Sequence, residues 1–215
     1  IWDKIPLLTF FKNTFKIAVL TTLLQVLTSC FAAYGFSKVE FRGRDFLFLV
    51  SVTTFAVPWQ AHMVTQFALI SRMGLTDSHL GLILMQAFSG FGVFLIRQFM
   101  IGVPNELLEA ARIDGANKMQ TFIQVVLPLV APGVVATAIY TFINTWNEFL
   151  YALILMNNTS KMTVAVALRS LDGAEILDWG DMMAASALVV LPSVIFFCLI
   201  QNKIAGGMSD GAVKS

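Results

Sequence analysis

Charge is what this chain of 215 residues has least of: charged residues make up 13%, hydrophobic residues 57%, and the formal net charge is +1. A soluble domain carries about 25% charged residues, so there is too little charge here to cover a water-soluble globule of this size. The small net charge also excludes a nucleic-acid binder driven by bulk electrostatics. Cysteine is nearly absent. Cys30 and Cys198 each lie in an apolar block far from any CxxC or His-rich run, which excludes a disulfide framework and a zinc site. No GxxxxGK[ST] phosphate loop occurs, so the chain has no ATP site of its own. His62 and His79 lack the neighbours of an intramembrane hydrolase. Internal repeats and paired intramembrane acids, the marks of many ion-coupled carriers, are missing as well.

What the chain does have is long apolar blocks. A helix needs about 20 mostly apolar residues to cross the hydrocarbon of a bilayer. Five stretches meet this, at about 14–36, 46–70, 80–99, 129–156 and 183–203. They predict an all-α, polytopic membrane protein. Residues 1–13 then form an extracytoplasmic segment, 14–203 the transmembrane domain, and 204–215 a cytoplasmic tail. Pro132 and the polar set Asn144, Asn147 and Glu148 predict a broken or tilted fourth helix.

Basic residues orient the spans. Lys38, Arg42 and Arg44 lie between the first two; Arg97, Arg112 and Lys118 follow the third; Lys203 and Lys214 lie at or beyond the end of the last. The positive-inside rule puts these regions and the C-terminus in the cytoplasm. The loops Arg72–His79 and 157–182 then lie outside; Lys12 and Lys16 run against this orientation. An odd number of crossings and a start at Ile1 instead of Met predict one more helix upstream.

The cytoplasmic stretch 100–128 is too long for a connector, which takes about 2–8 residues between helices. Residues 104–114 read as a short helix, with Pro104 at its first position, Glu106 at the positive end of its dipole, and Gly115 as the left-handed residue that ends it. A second helix runs from near Ala116 to Leu127, with Pro128 at the start of the next span. Leu107, Ala110, Ala111 and Asp114 share one small, flat, weakly amphipathic face, with Glu109 and Arg112 at its rim. Two readings remain open from the residues alone: a docking face for a partner protein, or a helix lying on the membrane surface. For Glu109, the alternative to a partner contact is an intrahelical pair with Arg112.

Glu109-Ala110-Ala111, three residues, Gly115, nine residues, and then Val125-Val126-Leu127-Pro128 resembles the EAA signature of the membrane subunits of ABC importers, with valine for the usual isoleucine. The chain is similar over most of its length to the sugar-transporting, maltose-type branch. The likeness is carried by Phe41–Arg44, Gly74–Asp77 with Gly81–Leu84, Phe94–Phe99, Ala110–Ala116, Thr145-Trp146-Asn147-Glu148-Phe149, and Gly211–Lys214.

The resemblance implies the permease core of a type I importer, normally six helices and here without its first. It further implies a bacterial or archaeal cytoplasmic membrane as location, a carbohydrate as cargo, and no cofactor in this chain. ATP and magnesium would sit in partner subunits. The expected partners are a second permease, two ATP-binding cassette subunits, an extracytoplasmic solute-binding protein and the lipid bilayer. In that setting 104–117 is a coupling helix. Ala110 and Ala111 make its close contact, Glu109 an ion pair with the ATPase, and Gly115 its orienting turn; Arg112, Asp114, Leu127 and Pro128 complete the loop. Gly211, Ala212, Val213 and Lys214 would reach the ATPase as a tail. An importer for a non-sugar solute is the alternative, followed by an ion-coupled carrier. Polar residues within spans tend to face a cavity or another helix, so Gln25, Gln60, Gln66, Gln86, Asn144, Asn147 and Glu148 are candidates for the pathway. Trp59, Trp146 and Tyr151 are candidates for stacking on sugar rings, and Pro58 for a gate hinge.

Overall fold

The computed structural model describes residues 6–171 and 179–212, and among them every regular element is a helix. In order these are α1 (Leu7–Lys38), α2 (Arg44–Ala56), α3 (Gln60–Arg72), α4 (His79–Met85), α5 (Gly90–Ile101), α6 (Asn105–Ile113) and α7 (Lys118–Thr121). A π-helical turn, Phe122–Val126, leads from α7 into α8 (Leu127–Leu129). There follow α9 (Ala131–Trp146), α10 (Leu150–Leu155), a 3-10 turn at Thr159–Lys161, α11 (Val164–Leu171) and α12 (Trp179–Ala212).

Among the described residues α1 alone is a single unbroken helix long and apolar enough to cross a membrane, and two further apolar stretches qualify only if a broken pair is taken as one span. Three of the remaining four expected spans are interrupted at identifiable residues, while 183–203 lies within the single helix α12. The stretch 46–70 is two helices, because Pro58 has no N–H to donate and Val57 is extended. The stretch 80–99 breaks between Gln86 and Ser89, where Ser89 caps α5 by accepting from the Gly92 N–H at 3.0 Å. The fourth stretch is broken as expected, but at two places: a 78° bend at Val130, and a gap at Asn147–Phe149 before α10.

Two boundaries need correction. The first helix starts at Leu7, well before residue 14, and the stretch 157–182 is not all loop, since α11 lies inside it. Both follow from one contact: Leu7 and Phe10 of α1 are buried against Val164 and Ala167 of α11. The tail positions Val213 and Lys214 lie outside the described residues, as do Asp172, Glu175 and Asp178 of the outer loop. Gly211 and Ala212 form the end of α12.

The chain divides into two compact units. The first comprises residues up to Thr22, His62–Gln86, and Thr141 onward. Its centre holds Ala18 with Phe142 and Trp146, beside the α1–α11 contact. The second comprises Leu23–Ala61 and Ala87–Tyr140. There α1, α5 and α9 meet at Gly92, where an added Cβ would lie 2.6 Å from Ser29 Oγ and 3.2 Å from Thr137 Cγ2. Such small-residue contacts let helix backbones approach closely. The core of this second unit is Cys30, Ala33, Ile96, Met100, Val103, Leu108, Phe122, Val126 and Val130.

Candidate functional site

The second unit presents the stretch 100–128, which the sequence reads as a coupling loop. Its helix begins one residue later than expected, at Asn105, because Pro104 keeps an extended ψ of 138° and acts as the N-cap residue. Lys38, the last residue of α1, fixes this start: its ammonium donates to the Val103 carbonyl at 2.6 Å and to Asn105 Oδ1 at 3.0 Å. Leu108 is 4% exposed and is the one side chain of α6 buried in the core. With one apolar anchor inward and charges outward, α6 is strongly amphipathic, contrary to expectation.

The anchor turns the predicted face to the outside. Leu107, Glu109, Ala110, Arg112 and Asp114 are exposed and Ala111 is half-buried. Ile113, 86% exposed, extends the same surface. Among the described residues Glu109 and Arg112 make no ion pair with each other.

The end of α6 is a Schellman motif. The Ala116 N–H donates to the Ala111 carbonyl at 2.9 Å, and the Gly115 N–H to the Arg112 carbonyl at 3.0 Å. Gly115 sits at φ +86°, the left-handed region where a Cβ is penalised. The next helix starts at Lys118 and not Ala116. A capping box accounts for this: Asn117 Oδ1 accepts the Gln120 N–H at 2.9 Å, and Gln120 Oε1 accepts the Asn117 N–H at 2.8 Å. The Asn-x-x-Gln spacing signals this box in the sequence. The helix also runs past Pro128 to Leu129. It does so by widening into the π turn, with the Leu127 N–H bonded to the Phe122 carbonyl. Leu127 packs on the core of the unit, while Pro128 is exposed on α8, a different helix from the α6 face.

The pathway candidates are treated differently by the fold. In the first unit Glu148 is occupied by its own chain: its carboxylate accepts the N–H groups of Tyr151 at 2.7 Å and Ala152 at 3.1 Å, satisfying the start of α10. Tyr151 is buried, and its hydroxyl donates to Gln66 Oε1 at 2.6 Å; Gln66 Nε2 donates to the Met85 carbonyl at 3.3 Å. Gln86 accepts from the Thr145 hydroxyl at 3.4 Å and donates to the Leu82 carbonyl at 3.3 Å. Trp146 is 3% exposed, stacked on Phe142 at 5.9 Å, with its indole N–H on the Val189 carbonyl. Neither Trp146 nor Tyr151 therefore offers an open ring to a sugar. Asn144 and Asn147, one helical turn apart, are exposed; Asn147 donates to the Ile143 carbonyl at 2.8 Å. In the second unit Gln60 and Pro58 are exposed at the α2–α3 break, with Trp59 half-buried between them. Gln25 is half-buried on α1.

A further polar cluster in the first unit escaped prediction. Asp77 has a positive φ of 52° and accepts the N–H groups of Asn157 at 2.9 Å and Asn158 at 3.0 Å. Lys161 donates to its carboxylate at 3.0 Å and to its carbonyl at 2.7 Å, and the His79 ring bonds the Lys161 carbonyl. Those two backbone N–H groups and the Lys161 ammonium hold the Asp77 carboxyl down at about 2. The cluster ties the turn after α3 to the turn after α10. Its signal in the sequence is the run Gly74–Asp77, with two left-handed residues, Gly74 and Asp77.

The family described as binding-protein-dependent transport system inner membrane component matches residues 25–209, which includes the whole stretch 100–128. The arabinooligosaccharides transport system permease protein of Halalkalibacterium halodurans is 31% identical over 206 residues, 96% of this chain and 74% of that protein. The lactose transport system permease protein of Rhizobium radiobacter is 31% identical over 204 residues, 95% of this chain and 74% of that protein. Among solved structures, a bacterial ABC transporter involved in the import of the acidic polysaccharide alginate superposes with a TM-score of 0.80 at 23% identity. It covers 90% of this chain and 74% of that one. The helical fold is thus the ABC importer permease fold that the motifs implied. The chain belongs to the family of binding-protein-dependent transport system inner membrane components.

Proposed function

We propose that the chain is one permease of an ATP-driven importer for a carbohydrate, forming half of the translocation pathway and receiving its driving force through α6. The observation that carries this is the outward face of α6. Leu108, the Lys38 clamp and the Schellman turn hold a short helix rigidly, while the side chain of Ala110 is exposed, that of Ala111 half-buried, and the Glu109 carboxylate makes no hydrogen bond or ion pair among the described residues. A lever must be gripped without slack. Small side chains allow a partner surface to approach the backbone, and Glu109 fixes the register by pairing with a base of an ATP-binding subunit. The tail that begins at Gly211 makes a second contact with that subunit.

Five crossings in this chain, with α6 and the C-terminus on the cytoplasmic side, agree with its basic loops. Breaks inside spans are tolerated where they are buried in protein or line a water-filled cavity. On that ground, within the first unit, the exposed Asn144 and Asn147 beside the break at Asn147–Phe149 are the candidates to face the pathway, where amide side chains suit a solute rich in hydroxyls, with Gln86, Glu148 and Trp146 as supporting residues of the same unit. Within the second unit, the exposed Pro58 and Gln60 at the α2–α3 break are separate candidates. A solute-binding protein delivers the cargo on the outer side. The sugar-transporting relatives support a carbohydrate, and a ligand screen of the co-expressed binding protein tests that part alone.

Glu109→Lys and Gly115→Val are expected to lower ATP-driven uptake at least tenfold while the chain still reaches the membrane. Gly115→Val places a β-branched residue at a positive φ, and Glu109→Lys inverts the docking charge. Normal uptake in cells carrying either variant would falsify the coupling role.

A further inference from the structure

Lys118–Leu129 runs as one continuous helix, but its hydrogen bonding changes in the middle. The Leu127 N–H reaches back to the Phe122 carbonyl instead of that of Ile123, so the turn Phe122–Val126 holds one residue more than an α turn. That residue decides which side chains are buried. Phe122, Val126 and Val130 all lie in the core of the second unit, each four residues from the next. In an α-helix a step of four overshoots a full turn by about 40°, so a stripe at this spacing winds off the core face; in the wider turn it stays in line. Beyond the turn, Val130, Gly133 and Thr137 are buried at the steps of three and four that an α-helix requires.

A plain α-helix over the same residues is a competitor with an apolar seat filled. With Val126 held in place, taking the extra residue out of the turn moves each earlier side chain on by one position. Ile123 then takes the seat of Phe122, between the rings of Phe31 at 5.3 Å and Tyr34 at 4.8 Å; Phe122 takes the place of Thr121, and Thr121 the exposed place of Gln120. Ile123 is 51% exposed and Phe122 4% exposed, and either is apolar enough for the seat. Burial alone therefore separates the two registers poorly. Pro128 separates them sharply: in an α-helix its ring meets the carbonyl of Gln124, four residues before it, and it has no N–H to offer that carbonyl.

We propose that Pro128 is a positioning residue that selects between these two registers. By excluding the plain α turn it keeps the extra residue in the helix. It thereby fixes which face α7 turns to the core and, through the short link Asp114–Asn117, where α6 stands. Its effect on transport rests on the reading of α6 as the coupling helix, whereas the register itself does not.

The test uses the chain with its co-purifying subunits, carrying Cys198→Ser to remove the exposed thiol and Thr121→Cys as a reporter; Cys30 is buried. Thr121 is 1% exposed, so a thiol at this position is expected to react slowly with a maleimide. Adding Pro128→Ala is expected to raise that rate about tenfold, as residue 121 moves to an exposed place, and to lower ATP-driven uptake severalfold. Deleting the exposed Gln124 as well takes out the extra residue, so that a plain α-helix now carries the original faces on both sides of the turn. Slow labelling and uptake are both expected to return. A merely structural role for Pro128 predicts the reverse, since a deletion added to a damaging substitution deepens the loss. Unchanged labelling in Pro128→Ala overturns the proposal and shows that packing alone holds the turn. Fast labelling that the deletion fails to reverse overturns it as well, in favour of local unfolding. Labelling that follows the expected pattern while uptake stays normal throughout supports the register and tells against the coupling role of α6, so the two readings fail separately.

Discussion

The two units spend their scarce polar residues in opposite ways. In the second unit, α6 carries Glu109, Arg112 and Asp114 on an exposed face, and what holds them there is an apolar anchor and backbone caps. In the first unit, Asp77 and Glu148 are turned onto backbone N–H groups of their own chain, and Trp146 and Tyr151 are enclosed. An acidic residue in a membrane protein is thus not by itself a sign of contact with substrate or partner. A carboxylate that accepts two backbone N–H groups is held in place by its own chain, with only its remaining lone pairs open to another donor. One left free on a braced helix is available to a partner.

The largest effect that could break this distinction is at Leu108. Leu108→Ala removes the one buried side chain of α6 and should cost about 2–5 kcal/mol, read as a lower melting temperature of the purified complex together with lost coupling. Leu107→Ala, its 43% exposed neighbour, should stay within about 0.5 kcal/mol of wild type yet reduce ATP-driven uptake. If both substitutions destabilise alike, α6 does not present Leu107 outward and the docking face is wrong.

A smaller effect is expected at Asp77. Asp77→Ala strands two N–H groups and leaves the Lys161 ammonium only its bond to the residue 77 carbonyl, at a cost of about 1–2 kcal/mol for partly exposed hydrogen bonds. The pH dependence has a definite sign. The folded carboxyl titrates at about 2, below its ordinary 3.8. Its contribution is therefore fully present above the ordinary value and is lost as pH falls through about 2. Thermal melts of wild type and Asp77→Ala should differ most near neutral pH and converge as pH falls below 4. A gap that persists unchanged to the lowest pH at which the protein stays folded would show that the carboxylate charge has no part in the clamp.

Much of the second unit was legible because its signals are local. Spacing predicts the short helix at 104–114, its outward face, and the left-handed turn at Gly115, and Asn117 with Gln120 carries the signal of the cap that starts the next helix. What was not legible depended on long-range partners. Nothing near residue 7 announces that Leu7 and Phe10 will be covered by Val164 and Ala167, so hydropathy marks an apolar span from about 14 while the helix itself begins at Leu7. The clamp on Asp77 joins residues 84 apart in the chain, beyond the reach of any periodicity. Hydropathy marked the apolar blocks but not where they break, because a block reads the same whether Pro58 or Gln86 interrupts one helix or joins two.

The smallest effect separates the two uses of an acid most directly, and it falls on Glu148. As a support for the start of α10 its charge is incidental, so Glu148→Gln should keep one of the two backbone bonds and lose only about 1 kcal/mol of stability. Glu148→Ala should lose about twice that, since both N–H groups of a helix start are then unpaired within a span. Uptake in Glu148→Gln should follow stability, with the solute concentration for half-maximal transport unchanged. A pathway acid behaves otherwise: the isosteric amide would fold as well as wild type while shifting that concentration severalfold, because the lost charge then faces the solute and not the peptide backbone. Measuring melting temperature and half-saturation on the same two variants tells these apart, and a shift in half-saturation without a change in melting would move Glu148 from the supporting structure to the pathway itself.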